Sequence, residues 1–214
     1  MKTVKFIIIR HGYSKGNKEK RFSGQMDVEL DEVGYSQAAA TAEYVSKNFH
    51  IDAIYSSDLS RAYETVKPIA EALGMEIHKC KDLREADVGN WQGKLVEEVK
   101  KEYPESFAFY KESPGFAKIG GAESYADVIN RARKAIEKIA EENEGKTILI
   151  GTHGGVIRSL RVAWEDNPPE KIKEIPHVPN SSVSVAEYKN GVLEWLSIGY
   201  DNHLSDKTTE EAVK

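Results

Sequence analysis

The chain has 214 residues, 40% hydrophobic and 30% charged, with a net charge of −5. That is enough for one α/β-sized core, is too acidic and too free of basic stripes for a nucleic-acid binder, and leaves room for a local cationic cleft that binds an anion. One cysteine, Cys80, excludes an internal disulfide and fits a reducing, cytoplasmic setting; no stretch reaches transmembrane length, and the apolar start is cut short at Arg10-His11 with no cleavage site, so no membrane partner is expected.

Val4–Ile9 is a β-branched run and reads as a buried strand. Residues 10–31 are rich in Gly, Ser, Lys and Asp and read as a long loop, of a length that is usually functional or disordered. Asp31 is placed to cap a helix that carries Ala38, Ala42, Val45 and Phe49 on one face. Ala53–Ser57 is a second strand, followed by a helix with Leu59, Ala62, Val66, Ile69, Ala70 and Leu73 at helical spacing. Pro68 inside that helix predicts a kink or break. Residues 76–93 read as strand and loop. Residues 94–122 read as short helices joined by Pro104, Pro114 and Gly120-Gly121. Ser124 with Asp127 resembles a capping box at the head of a helix bearing Val128, Ala132, Ala135, Ile136 and Ile139. Thr147–Gly151 is a buried strand and 156–163 a helix. Asn190-Gly191 predicts a tight hairpin between Val183–Tyr188 and Val192–Ile198, and the polar tail after Asp201 is expected to be loosely ordered. The alternation predicts a three-layer α/β/α fold with a mostly parallel central sheet: one domain over 1–200, a small helical cap at about 94–122, and a tail over 201–214.

In such sheets, ligands sit beyond the carboxyl ends of the strands. Three predicted strands end there in Arg10-His11-Gly12, in Ser56-Ser57 followed by Arg61, and in Thr152-His153-Gly154-Gly155. Taken singly, an Arg-His at a strand end is a charge pair without chemistry. Together, two arginines and two histidines suit a phosphoryl group, whose non-bridging oxygens need fixed cations and donors. A neutral histidine held through one ring nitrogen is able to attack phosphorus with the other. Proton donors for the leaving oxygen lie in the loop Leu83–Gly93, where a carboxyl near Trp91 is a candidate acid; chemistry alone leaves Glu85 and Asp87 both open. His50, His78, His177 and His203 lack ligand spacing and read as surface or core residues, so no metal site is expected. A Cys-x5-Arg loop fails at Ala86, and neither a His-Glu-x-x-His motif nor a Walker-type loop occurs.

From Phe6 to about Tyr200 the sequence resembles the histidine phosphatase superfamily, in the branch of cofactor-dependent phosphoglycerate mutases and their phosphatase relatives. The blocks stand in family order: Arg10-His11-Gly12 with Ser14 and Asn17; Ser23-Gly24-Gln25-Met26-Asp27; Ser56 to Ala62 with Thr65; Leu83, Glu85, Gly89, Trp91 and Gly93; Gly121-Ala122-Glu123-Ser124, with Ala122 inserted; and Thr152-His153-Gly154-Gly155. The resemblance implies that His11 is the phosphorylated nucleophile and Glu85, rather than Asp87, the proton donor. It implies that Arg10, Arg61 and His153 hold the phosphoryl oxygens, and that Asn17, Ser23, Gly24 and Gly154 border the substrate. Tyr13 departs from the Glu or Gln usual after the family's glycine. No adjacent arginine pair lies between Glu85 and His153, which favours a phosphatase over a mutase. The expected activity is metal-independent, cofactor-free hydrolysis of a small phosphorylated metabolite; mutase-type transfer and an inactive phospho-ligand-binding module are the alternatives. Oligomeric state is left open, a homodimer included.

Overall fold

The computed structural model describes residues 2–118, 120–165 and 167–205. A six-stranded sheet forms its centre, in the order β3-β2-β4-β1-β5-β6. The strands are β1 (Val4–Arg10), β2 (Ala53–Ser56), β3 (Ile77–Lys79), β4 (Thr147–Thr152), β5 (Val183–Lys189) and β6 (Val192–Tyr200). The first four in space are mutually parallel; β5 runs antiparallel to β1, and β6, antiparallel to β5, returns to the direction of the first four. Asn190 and Gly191 both take positive φ, 52° and 84°, which is the tight turn the Asn-Gly pair predicts.

Period-two alternation in the central strands divides the core into two layers. Val4, Phe6 and Ile8 of β1 and Ile148 and Ile150 of β4 pack against α6 (Tyr125–Glu142) and α7 (Gly154–Trp164). Ile7, Ile9 and Leu149 pack the other way, against α2 (Glu32–Asn48) and α3 (Ser60–Leu73). All eight strand residues are fully buried. Burial on this scale stabilises by about 1.5–3 kcal/mol per large side chain, which fixes the strand register and with it the positions of the strand ends.

The caps follow the sequence. Asp31 accepts from the Val33 amide at 2.7 Å to open α2, and Ser124 exchanges hydrogen bonds with Asp127 to open α6. Four expectations are revised. The 10–31 loop contains a short helix, α1 (Lys15–Glu19), capped by Ser14 and Asn17. Pro68 does not break α3: Val66, Ile69 and Ala70 are buried on both sides of it, so tertiary packing holds the helix through the missing hydrogen bond. α7 starts at Gly154, two residues ahead of the predicted start, because His153 serves as its N-cap. The polar stretch after Asp201 is packed in its first part. His203 stacks on Tyr44 and Tyr200, with centroids at 4.8 and 5.8 Å, and Leu204 is buried. Residues 206–214 of the expected tail lie outside the described residues. Among the described residues no helix is long and apolar enough to cross a membrane.

α4 (Val96–Glu102) and α5 (Pro104–Glu112) fill most of the 94–122 segment, with Pro104 at the first position of α5. An aromatic cluster ties this segment to the loop around Phe22: Trp91, fully buried, lies 5.2 Å from Phe22, 5.5 Å from Tyr110 and 6.0 Å from Phe107 between ring centroids.

Candidate active site

Parallel register brings the three strand ends side by side. Arg10 of β1 stands opposite Thr152 of β4, and Ser56 of β2 opposite Gly151. The ladder continues one residue beyond the strands: the His11 amide donates to the Thr152 carbonyl at 2.9 Å and the Ser57 amide to the Gly151 carbonyl at 2.8 Å. His11 and His153 therefore leave the sheet together, their ring centroids 5.1 Å apart at an angle of 60°. Both are buried, as are Arg10 and Arg61.

Each side chain of this group is fixed by a main-chain or hydroxyl partner. His11 Nδ1 lies 2.8 Å from the Gly12 carbonyl oxygen. A carbonyl only accepts, so the hydrogen sits on Nδ1 and Nε2 carries the free lone pair. His153 Nε2 lies 2.9 Å from Ser57 Oγ. Arg10 Nη1 donates to the Val178 carbonyl at 2.6 Å. Arg61 donates to the carbonyls of Gly24 and Met26 at 2.8 and 2.9 Å, clamping the second half of the 10–31 loop over α3. Thr65, one turn after Arg61, accepts from the Gly12 amide at 2.8 Å.

The electrostatics favour neutral imidazoles. Burial, then the Arg61 and Arg10 cations, hold the His11 pKa well below the ordinary 6.5, against a smaller opposing effect of the Gly12 carbonyl. His153 is lowered likewise, by burial first and then by Arg61, His11, Arg131 and Arg10. At neutral pH His11 thus presents an unprotonated ring nitrogen among fixed cations, an arrangement suited to accepting a phosphoryl group.

Glu85 reaches this centre from the loop after β3. Its carboxylate accepts from the Gly155 amide at 3.1 Å, in the first turn of α7, and from its own neighbour Ala86 at 2.9 Å. Asp87 turns the other way and accepts from the Gly89 amide at 2.8 Å, which closes a local turn. The loop backbone is braced from α6. Arg131 donates to the carbonyls of Asp82, Arg84 and Glu85 at 2.7–2.9 Å and forms a two-pronged ion pair with Glu123. Glu123 also accepts from the Asp87 amide at 3.0 Å and from Gln25 at 3.3 Å.

Of the residues proposed from sequence, His11, His153, Arg10, Arg61 and Glu85 thus come together with the Gly154 and Gly155 end of α7. Gly24 joins through its carbonyl to Arg61. Asn17 caps α1, and its Oδ1 faces Asn180 Nδ2 at 3.4 Å. Ser23 packs on Gly16, where an added Cβ would lie 2.1 Å from its Oγ. Among the described residues, no group of three or more His, Cys, Asp or Glu side chains is placed to hold a metal ion.

Sequence reasoning passed over several supporting residues. Asn180 donates to the His11 carbonyl at 3.0 Å, and the Ser181 amide donates to the Arg10 and His11 carbonyls. Their stretch, Pro179-Asn180-Ser181-Ser182, reads as an ordinary polar loop, and its partners lie some 170 residues away. Arg131 gave no signal beyond its place on a helix. Ser57 is visible in the sequence at the end of the second strand and Glu123 only within a block of the family resemblance, neither with the partner it meets in the structure.

A family model described as the histidine phosphatase superfamily (branch 1) matches residues 6–201. The chain is 36% identical over 206 residues to phosphoglycerate mutase-like protein 4 of Arabidopsis thaliana, covering 95% of this chain and 88% of that one. It is 35% identical over 208 residues to the metal-independent phosphoserine phosphatase of the same plant, covering 94% and 84%. Among solved structures, Bacillus stearothermophilus YhfR superposes with a TM-score of 0.88 at 30% identity, covering 94% of this chain and 98% of that one. The chain belongs to the histidine phosphatase superfamily, branch 1, and is a phosphoric monoester hydrolase of that family.

Proposed function

We propose that the protein hydrolyses a small phosphorylated metabolite without a metal, through a phosphohistidine on His11. The observation that carries this reading is the pinned, neutral His11 ring, with Nδ1 on the Gly12 carbonyl, beside His153 and between two buried arginines. His11 Nε2 attacks phosphorus as the bond to the substrate's ester oxygen breaks. Arg10, Arg61 and His153 hold the non-bridging oxygens, and Glu85 gives its proton to the departing oxygen. Water then attacks the phosphorus, Glu85 takes the water's proton as the phosphorus–nitrogen bond breaks, and phosphate leaves His11 neutral again. Acid–base help of this kind is worth about 10²–10⁴-fold. Asn17, Ser23, Gly24 and Gly154 border the substrate, and the helices of residues 94–122 cap the pocket. The cytoplasmic setting expected from the lone cysteine is part of the same proposal.

The test is a release assay over a panel of phosphomonoesters, phosphoserine included. Turnover is expected to survive EDTA, to vanish in His11→Ala, and to pass through an acid-labile, base-stable phosphoenzyme. Activity lost on chelation and restored by Mg²⁺ or Zn²⁺, or an unimpaired His11→Ala enzyme, overturns the mechanism. A mutase, which the name of the first relative raises, would accumulate an isomerised product instead of phosphate. The lack of an adjacent arginine pair between Glu85 and His153 speaks against it.

A further inference from the structure

Of the two arginines on α7, Arg161 pairs with Glu165 and Arg158 pairs with no carboxylate among the described residues. Arg158 follows Gly154 and Gly155 by four and three residues, so it lies one turn along the same face of the helix. Its Nη1 bonds His177 Nε2 at 2.8 Å, its Nη2 donates to the Ile172 carbonyl, and its guanidinium carbon lies 5.9 Å from the centre of the Tyr125 ring. Its Nε is buried and makes no hydrogen bond. No carboxylate among the described residues pairs with it. A half-buried guanidinium without an anion is a costly arrangement unless an anion is supplied from outside.

The surroundings place this cation next to the phosphoryl site. A Cβ built on Gly154 would come 3.1 Å from His177 Nδ1 and 3.2 Å from Arg10 Nε, so one imidazole separates two arginines. Arginine only donates, so His177 Nε2 accepts and the ring hydrogen sits on Nδ1, the atom turned to Gly154 and Arg10. Glu85, on the Gly155 amide, occupies the same turn of α7 as this group. The oxygen that Glu85 protonates and the Arg158 guanidinium therefore lie on one side of the pocket, the side of the leaving group.

We infer that Arg158, with His177 beside it, is the subsite for a carboxylate on the leaving group, and that the enzyme selects phosphomonoesters of small hydroxy acids over those of uncharged or purely cationic alcohols. This rests on the proposed role of Glu85.

The test compares kcat/KM for phosphoserine and phosphoethanolamine, which differ only in the carboxylate. A charge-assisted hydrogen bond predicts a preference for phosphoserine of about 10–100-fold in the unmodified enzyme. Arg158→Met should bring the ratio close to one, mainly through KM, and Arg158→Lys should restore part of it. The methyl ester of phosphoserine should lose the same factor on the unmodified enzyme, a readout that needs no variant. A ratio near one in the unmodified enzyme, or an equal loss on both substrates in Arg158→Met, overturns the inference; the latter would assign Arg158 to holding residues 172–177 in place. If none of these compounds nor phenyl phosphate is turned over, the proposed function itself fails.

Discussion

Gly155, at the head of α7, ties the proposed chemistry to the placement of single atoms. A Cβ on Gly155 would sit 2.2 Å from Glu85 Oε1, which lies well inside contact distance. Glu85 is a flexible side chain, so Gly155→Ala is expected to fold and to push the carboxylate aside. Alanine is a better helix former by up to about 1 kcal/mol, so thermal stability should hold or rise slightly. A displacement of about 1 Å in a catalytic group costs on the order of 10²-fold in rate. Gly155→Ala should therefore lower kcat by about that factor with an unchanged or higher melting temperature. An active Gly155→Ala enzyme would remove Glu85 from the acid's position. The same contact separates the two carboxyls that chemistry alone left open: Glu85 meets α7, while Asp87 is spent on the Gly89 amide.

At the scale of elements, the loop that carries Glu85 owes its position to α6. Arg131 and Glu123 join on α6 and its lead-in, and between them they satisfy three loop carbonyls and one loop amide. Arg131→Met should lower kcat by about 10–100-fold and stability by about 1–3 kcal/mol, the cost of leaving buried polar groups unmet. Glu123→Gln acts on the same brace, so the double variant should lose little more than the worse single one; additive losses would show two independent roles. This brace was not legible in the sequence, and the reason is physical. Its partners are separated by up to 49 residues and meet only because α6 packs beside the loop. The strand ends were legible because short β-branched runs stop at charged or glycine-rich residues, and parallel pairing then aligns them without further information. The helix caps at Asp31 and Ser124 were legible for the same local reason. Asn180, Ser181 and His177 were not. Their stretch has no periodicity, and its polar residues take their meaning from β1 and α7, more than a dozen residues away in the chain.

The whole molecule bears the cost of keeping two imidazoles neutral in a cationic, buried pocket. His11 and His153 both bind protons less readily in the folded chain than their ordinary value of 6.5. Below that value the unfolded chain takes up protons that the folded chain refuses, so it binds more protons and stability rises with pH. The contribution is complete above about pH 6.5 and is lost as pH falls from there toward the lowered folded values. Each such histidine adds a slope of up to about 1.4 kcal/mol per pH unit in this window. The lowered carboxylates act in a separate window further down. Asp58, bonded to Arg84, and Asp127, bonded to Lys118 and Ser124 and held at about 2, lose their contributions only below the ordinary carboxylate range. Denaturant titrations between pH 7 and pH 5 should therefore show stability falling steeply with acid. His11→Gln and His153→Gln should each flatten that slope by roughly half of the pair's share, and the double variant should remove most of it. A slope unchanged by both substitutions would mean that the rings are already protonated in the folded enzyme, and a protonated His11 has no lone pair with which to attack phosphorus.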